Sequence, residues 1–191
     1  MSDIDAASVA MAPSGQEGPW VCTMPFAPTM TGADFSTSGL ALTGLWQSID
    51  GQHVRAYGRG QPEPDAAWQP LEPLMEIAGP AAGVAPPFHY VVETDVLPEN
   101  VDVLNDWYTQ EHLPGLAAVP GTIRAARYVR LRGSPRFYAC YDLVSLDVLE
   151  SEPWLAVRHT DWSSRVRPMF RNTLRTRFHR LDLRALPQPM A

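Results

Sequence analysis

The sequence predicts an α+β fold in which the C-terminal half of the chain runs in the order β-α-β-β-α-β. Two observations carry this prediction. Stretches in which apolar or aromatic side chains alternate with polar ones indicate strands, and stretches in which apolar side chains recur every three or four residues indicate helices. From residue 88 to residue 184 these stretches follow one another in the order of a ferredoxin-like split βαβ unit.

The first strand and helix of this unit are predicted with clear boundaries. Residues 88–96 are rich in aromatic and β-branched side chains, as a strand should be. A helix with one apolar face begins near Pro98, because proline is favoured in a first helical turn. We expect Pro114-Gly115 to end or distort this helix.

A hairpin follows, with strands at residues 123–131 and 137–143 joined by the turn Gly133-Ser134-Pro135. In its first strand we expect Arg127 to lie on the apolar face and Arg124 and Tyr128 on the opposite face. Short helices are predicted to begin at Ser145, Pro153 and Asp161, and a last strand spans residues 174–183.

The N-terminal half is less regular. Residues 20–26, 40–49 and 53–57 predict strands, and Asp50-Gly51 predicts a hairpin turn between the second and third. Residues 65–77 predict a helix interrupted by two prolines. Residues 20–85 are therefore either a degenerate ferredoxin-like repeat, which would close a barrel within one chain, or a β extension on a single domain.

The resulting division of the chain has four parts. We expect a disordered tail at residues 1–19, the repeat or extension at residues 20–85, a ferredoxin-like domain at residues 86–185 and a second tail at residues 186–191.

All basic residues are arginines, and they are unevenly distributed. Residues 1–119 hold two arginines and 15 acidic residues, whereas residues 120–191 hold 13 arginines and six acidic residues. We expect the two parts to attract each other within the fold. Because the whole chain is acidic, a dedicated nucleic-acid-binding protein is disfavoured.

The two cysteines match no metal or redox spacing, no apolar run could span a membrane, and no secretory signal is evident, so we expect a cytoplasmic protein.

A family resemblance rests on the helix and the strand that follows it. The segment Asp106-Trp107-Tyr108-Thr109-Gln110-Glu111-His112-Leu113-Pro114, followed by Val119-Pro120-Gly121 and Ala126-Arg127-Tyr128, resembles the EthD-like branch of the dimeric α/β-barrel superfamily. The resemblance covers about residues 88–181. It implies two four-stranded sheets packed into a barrel, with helices outside. The superfamily includes cofactor-free monooxygenases, isomerases, cyclases and haem enzymes, so the resemblance alone does not choose a reaction.

His112 is the first candidate catalytic residue, because histidine can take and return a proton near neutral pH. Tyr108 precedes it by four residues and shares its helix face, so a phenol could assist. Glu111 could orient the imidazole. The alternative is that Glu111 and His112 only fix the helix end to the hairpin.

Three further residues are predicted to bind substrate. Trp107, with Tyr108, could line an apolar pocket, although packing in the core is the commoner explanation for such residues, and Tyr128 is assigned to the substrate-binding group as well. Arg127 could hold a substrate carboxylate, and the alternative is a salt bridge to Glu111 or Asp142.

The sequence therefore predicts a small-molecule enzyme that acts on a hydrophobic aromatic, lactone-like or polyketide-like metabolite by metal-free proton transfer. Isomerase, cyclase and cofactor-independent monooxygenase activities remain open. No metal site and no cofactor are predicted, although haem is compatible with a single axial histidine. A homodimer is expected, without nucleic-acid or membrane partners. The alternative is a non-catalytic metabolite-binding or accessory protein of the same fold.

Overall fold

The computed structural model describes residues 18–35, 38–62 and 67–182 and contains one closed, eight-stranded antiparallel barrel. The strands of the N-terminal half are β1 (Trp20–Pro25), β2 (Leu40–Ser48), β3 (His53–Gly60) and β4 (Gln69–Ala78). The strands of the C-terminal half are β5 (Phe88–Asp95), β6 (Thr122–Arg130), β7 (Phe137–Leu143) and β8 (Arg171–Arg180).

Both halves arrange their four strands in the same spatial order. Around the barrel the order is β1-β3-β2-β8-β5-β7-β6-β4, and β4 returns to β1. In each half the first strand therefore lies between the fourth and the third, with the second at the far side. One chain supplies both sheets, which confirms the predicted barrel fold and makes a partner unnecessary for closing the barrel.

The helices of the C-terminal half cover the outer face of its sheet. They are α1 (Val101–Trp107), α2 (Leu113–Ala117), α3 (Glu152–Arg158) and α4 (Asp161–Val166). A π-helical turn, Tyr108–His112, joins α1 to α2, and the Leu113 amide donates to the Tyr108 carbonyl five residues earlier. We expected Pro114-Gly115 to end or distort this helix, and the structure shows the distortion: the wider turn precedes the proline, and the helical backbone then continues to Ala117.

The predicted helix at residues 65–77 is also wrong. Residues 65 and 66 lie outside the described residues, and Gln69–Ala78 forms β4, paired with β6. Pro70 and Pro73 are incompatible with a helix interior, and the strand accommodates Pro73 at a register shift between Pro73 and Met75. The shift changes the face of the strand on which alternate side chains lie. Leu71, before the shift, therefore packs inside the barrel, and Met75, after it, packs under the helices.

Three apolar clusters form the core. The largest packs the helices onto the C-terminal sheet, and a second fills the middle of the barrel. The third covers the outer face of the N-terminal sheet, where Phe35 of a short 3₁₀ helix (Gly32–Phe35) and Trp68 of a loop take the place of α-helices. None of the helices in the described part of the chain is long and apolar enough to cross a membrane.

The prediction that the acidic and basic parts of the chain attract each other through ion pairs is wrong for most of the arginines. Among the arginines of residues 120–182, Arg124 is the one that forms ion pairs with described carboxylates, to Glu76 and Asp142. Most of the others are exposed, so solvation rather than internal pairing accommodates their charge.

Candidate functional site

Three polar side chains meet inside the barrel on adjacent strands. His89 on β5 lies opposite Asp142 on β7, and Asp142 lies opposite Arg124 on β6. Because side chains on a strand alternate between faces, the register that buries Val91 and Cys140 in the barrel also turns His89 and Asp142 inward. Three strands distant in sequence therefore bring one cluster together.

The cluster is held by short hydrogen bonds. The two carboxylate oxygens of Asp142 have different partners: Oδ1 lies 2.7 Å from His89 Nδ1, and Oδ2 accepts from Arg124 Nε at 2.8 Å. Burial alone would raise the pKa of Asp142, but the hydrogen bond and charge of His89 and the Arg124 guanidinium lower that pKa to about 2. Asp142 is therefore ionised at neutral pH.

The second ring nitrogen of His89 faces a phenol. His89 Nε2 lies 3.1 Å from the Tyr57 hydroxyl. Burial lowers the pKa of His89 despite the neighbouring Asp142, and burial raises the pKa of Tyr57. At neutral pH a neutral imidazole donates from Nδ1 to Asp142, and its Nε2 accepts from Tyr57. This arrangement leaves a base oriented by a carboxylate and linked to a protonated phenol.

These residues line a cavity of about 270 Å³ at one end of the barrel. Aromatic rings form part of its wall: Trp46 stacks on His89 with ring centroids 4.8 Å apart, and Tyr128 accepts a hydrogen bond from Arg124 at 3.3 Å. The exposed Arg59 and Arg180 also line it, and no described carboxylate lies within 4 Å of either guanidinium. The cavity thus combines an apolar wall, an acid–base pair and positive charge.

Cys140 also lines this cavity but is not activated. Its sulfur lies 4.0 Å from the Tyr57 oxygen, and burial raises the pKa of the thiol to about 12. Because the nucleophilic form of cysteine is the thiolate, Cys140 does not provide a nucleophile at neutral pH.

The candidate residues predicted on the first helix lie on the other side of the C-terminal sheet. The π-helical turn brings Trp107, Tyr108 and His112 together: the Trp107 and His112 rings stack with centroids 4.0 Å apart, and Tyr108 meets His112 edge-on at 5.4 Å. The three side chains pack into the apolar layer between helix and sheet or at its edge.

The space beside His112 is small. The cavity that Trp107, Tyr108 and His112 line has a volume of about 30 Å³, which is room for one or two water-sized groups. Burial, followed by the positive charges of Arg167, Arg158 and Arg127, lowers the pKa of His112 to about 3. His112 is therefore neutral and enclosed, and its catalytic role stays a prediction.

Glu111 and Arg127 make contacts that the sequence did not predict. Glu111 accepts a hydrogen bond from the Thr160 hydroxyl at 2.7 Å, which ties the π-helical turn to the start of α4. Arg127 stacks on the Tyr108 ring at 4.2 Å and donates to Asn105 at 3.2 Å. The expected salt bridge from Arg127 to Glu111 or Asp142 is absent from the described ion pairs, because Arg127 faces the helices whereas Asp142 faces the barrel interior.

Of the six predicted site residues, Tyr128 alone lines the barrel cavity. The other five lie on the helix side of the C-terminal sheet. His89, Asp142 and Tyr57 were missed as a site. A polar side chain on an otherwise apolar strand is the signal that could have drawn attention to His89 and Asp142. However, no local sequence pattern predicts the strand register that brings them together.

The residues around His112 do not fit a haem, and the described residues gather no metal-binding set. Within residues 18–35, 38–62 and 67–182, no three histidine, cysteine, aspartate or glutamate side chains gather where they could hold a metal ion. A porphyrin is far larger than the cavity beside His112, and the stacked Trp107 ring covers one face of that imidazole. We therefore derive no step through haem.

Comparisons with known proteins find the fold but no sequence family. No protein-family model matches the chain, and no curated protein matches its sequence. Solved structures do match, and several carry names of oxidative enzymes.

An anthrone oxidase-like protein superposes with a TM-score of 0.63 at 13% identity, covering 96% of this chain and 100% of the other. A ferredoxin-fold protein from Listeria monocytogenes, related to antibiotic biosynthesis monooxygenases, gives 0.56 at 13% identity, with 87% and 96% covered. The haem-degrading enzyme LmHde of Listeria monocytogenes gives 0.55 at 9% identity, with 84% and 98% covered. At these identities the likeness establishes the fold alone: the chain has the ferredoxin-like barrel fold of the proteins related to antibiotic biosynthesis monooxygenases.

Proposed function

We propose that this protein is a small-molecule enzyme that removes a proton from a compact aromatic or lactone-like substrate in the barrel cavity, without a metal. The observation that carries the proposal is the arrangement of His89, whose two ring nitrogens face Asp142 at 2.7 Å and Tyr57 at 3.1 Å inside a cavity of about 270 Å³. A base oriented by a carboxylate and matched to a cavity is the usual form of a general-base site.

The proton path follows from the hydrogen bonds. The Tyr57 hydroxyl gives its proton to His89 Nε2 while the Tyr57 oxygen takes a proton from an acidic C–H or O–H group of the substrate. His89 becomes an imidazolium, which the ionised Asp142 stabilises. The substrate anion that forms is stabilised by the Arg124 guanidinium, which lines the same cavity. Returning the proton to another substrate atom completes an isomerisation.

The size and walls of the cavity limit the substrate. A volume of about 270 Å³ lies just below the range for small-molecule sites, which begins at about 300 Å³. Trp46 and Tyr128 offer faces for a planar ring. A single aromatic ring or a lactone of similar size therefore suits the site better than a fused polycyclic skeleton.

Among the possible outcomes we favour oxygenation, because the fold neighbours include proteins named anthrone oxidase-like or related to monooxygenases. In that reaction the carbanion formed by proton removal is oxidised by dioxygen. A CH₂ group becomes C=O, one oxygen atom enters the product, and the other leaves as water. Isomerase and cyclase activities share the first step and remain alternatives.

The test is a screen of single-ring compounds that carry an acidic CH₂ group, unsaturated lactones among them, for oxygen uptake and for exchange of the acidic C–H hydrogen with deuterated water. We expect the wild type to catalyse one of these reactions and His89→Gln to lose at least about 100-fold in kcat/KM. His179→Gln on β8 is the matched control, because His179 does not line this cavity. Its activity should equal that of the wild type.

The same assay decides between the two candidate histidines. If His112→Phe loses activity and His89→Gln keeps it, the proposal is wrong and the catalytic role predicted for His112, Tyr108 and Glu111 is supported. If a probe binds in the cavity but neither reaction occurs, the alternative of a non-catalytic metabolite-binding or accessory protein gains support.

Several coarser features remain proposals as well. We propose that the chain is related to the EthD-like branch, that residues 20–85 are a degenerate repeat of residues 86–185, and that the protein works in the cytoplasm. The repeat is supported by the strand order, which is the same in the N-terminal and C-terminal halves. A homodimer, if it forms, must use a surface other than the sheets, because they already close the barrel. Binding to RNA would require retention that weakens steeply with salt, which a nucleic-acid column would test.

A further inference from the structure

Three arginines surround the small cavity beside His112. Arg158 ends α3, Arg167 follows α4, and Arg175 lies on β8, and all three line the cavity of about 30 Å³. We call them the arginine cluster. No carboxylate of the described residues lies within 4 Å of any of the three. Charges of one sign therefore converge on a space that no described acidic group neutralises.

The environment of these arginines is costly without a counterion. Arg158 and Arg167 are half-buried, and an Arg167 Nη1 contact with the Arg158 carbonyl at 3.4 Å holds the two segments together. Burial lowers the pKa of Arg167, and the charges of Arg158 and Arg175 lower it further. Like charges in a partly desolvated position repel each other more strongly than they do in water.

A second and independent observation comes from the buried wall of the cavity. Trp107 is 1% exposed and His112 is 7% exposed, and each carries a buried ring nitrogen, Nε1 and Nδ1 respectively, with no hydrogen-bond partner. The tryptophan nitrogen can only donate. Buried polar groups are normally paired, so the buried wall of this cavity, like the arginine cluster, carries polar groups without a partner among the described residues.

We propose that the arginine cluster binds one small monovalent anion of about the size of chloride or formate in this cavity. The guanidinium groups supply both the charge and the hydrogen-bond donors. The small volume excludes larger acids unless the side chains at the cavity mouth move. This site is separated from the barrel cavity by the C-terminal sheet and does not depend on the proposed reaction.

The experiment measures thermal unfolding of the full chain while sodium chloride or sodium formate replaces sodium gluconate at constant ionic strength. Gluconate is too large for the cavity and serves as the neutral reference. We expect a saturable rise in Tm of about 5 °C or more at 100 times the dissociation constant. Saturation by chloride and formate alike supports a general small-anion site, and saturation by formate alone supports a carboxylate site.

Variants separate the site from general screening of charge. Arg167→Gln should raise the dissociation constant at least about tenfold, and Arg175→Gln, on an exposed strand position, provides the same test if the first variant folds poorly. Arg165→Gln on α4 is the matched control, because Arg165 is exposed and does not line the cavity. The proposal is overturned if neither anion gives a saturable shift, or if the Arg165 variant loses as much affinity as the Arg167 and Arg175 variants.

Discussion

The burial of His112 predicts a specific dependence of stability on pH. The pKa of His112 is about 3 in the folded protein, against an ordinary value of 6.5, so the unfolded chain binds a proton below pH 6.5 that the folded protein does not bind. Above about pH 7.5 neither state is protonated at this residue, and its contribution vanishes. As the pH falls from 7 to 5, this one group lowers the free energy of unfolding by about 2 kcal/mol.

The perturbation that isolates this contribution is His112→Phe. Phenylalanine keeps a ring to stack on Trp107 and removes both the titrating group and its unpaired Nδ1. We expect the variant to lose about 2 kcal/mol less than the wild type between pH 7 and pH 5. Urea unfolding in gluconate buffer at pH 7, 6 and 5, followed by tryptophan fluorescence, measures the difference.

The matched control is His159→Phe, because His159 is exposed at the end of α3. Its stability should follow the wild-type curve across the same pH range. If the wild type and His112→Phe lose the same free energy between pH 7 and pH 5, His112 is not enclosed as the structure has it, and the reasoning about its site fails.

Three further predictions concern the barrel and its cavity. Asp142→Asn should lower kcat/KM by about 100-fold or more, because His89 loses the carboxylate that stabilises its imidazolium, and steady-state kinetics of the reaction found in the substrate screen measures this. Glu93→Gln should lower the free energy of unfolding, measured with urea, by about 3–5 kcal/mol, because it leaves the buried Arg55, which lies 2.7 Å from Glu93, without its charge partner. The control, Glu72→Gln at an exposed position, should change that free energy by less than about 0.5 kcal/mol. Leu104→Ala should cost about 2–5 kcal/mol and Val103→Ala less than about 0.5 kcal/mol, since neighbouring residues of α1 are buried and exposed respectively.

The sequence predicted those elements whose local pattern agrees with their final environment. The strand at residues 88–96 appears as Phe88–Asp95, and the hairpin appears as β6 and β7 with the expected faces. The turn at Asp50-Gly51 also forms, with Gly51 at a φ of 72° that suits glycine. In these segments alternation, turn residues and burial all favour the same structure.

Residues 69–78 show why other segments were mispredicted. Their apolar residues fit neither the alternation of a strand nor the three-or-four-residue spacing of a helix, because the register shift between Pro73 and Met75 changes the buried face in mid-strand. Pairing with β1 and β6 decides the structure there, and such long-range partners cannot be read from a local window.

The candidate site was predicted incompletely for the same reason. The helix motif identified His112 and Tyr108, which do lie together. The cluster in the barrel joins residues 53 positions apart in sequence, as the pair His89 and Asp142 shows. Its assembly depends on the register of three strands, which a single sequence does not specify.

The position of a bound neutral ring tests the central claim most directly, because a neutral molecule does not compete for the anion site. A crystal structure of the protein with hydroquinone should show the ring in the barrel cavity, with a hydroxyl within hydrogen-bond distance of Tyr57 or His89. Density for the ring between α1 and the sheet beside His112, or a barrel cavity that stays free of the ring at saturating concentration, would contradict the account.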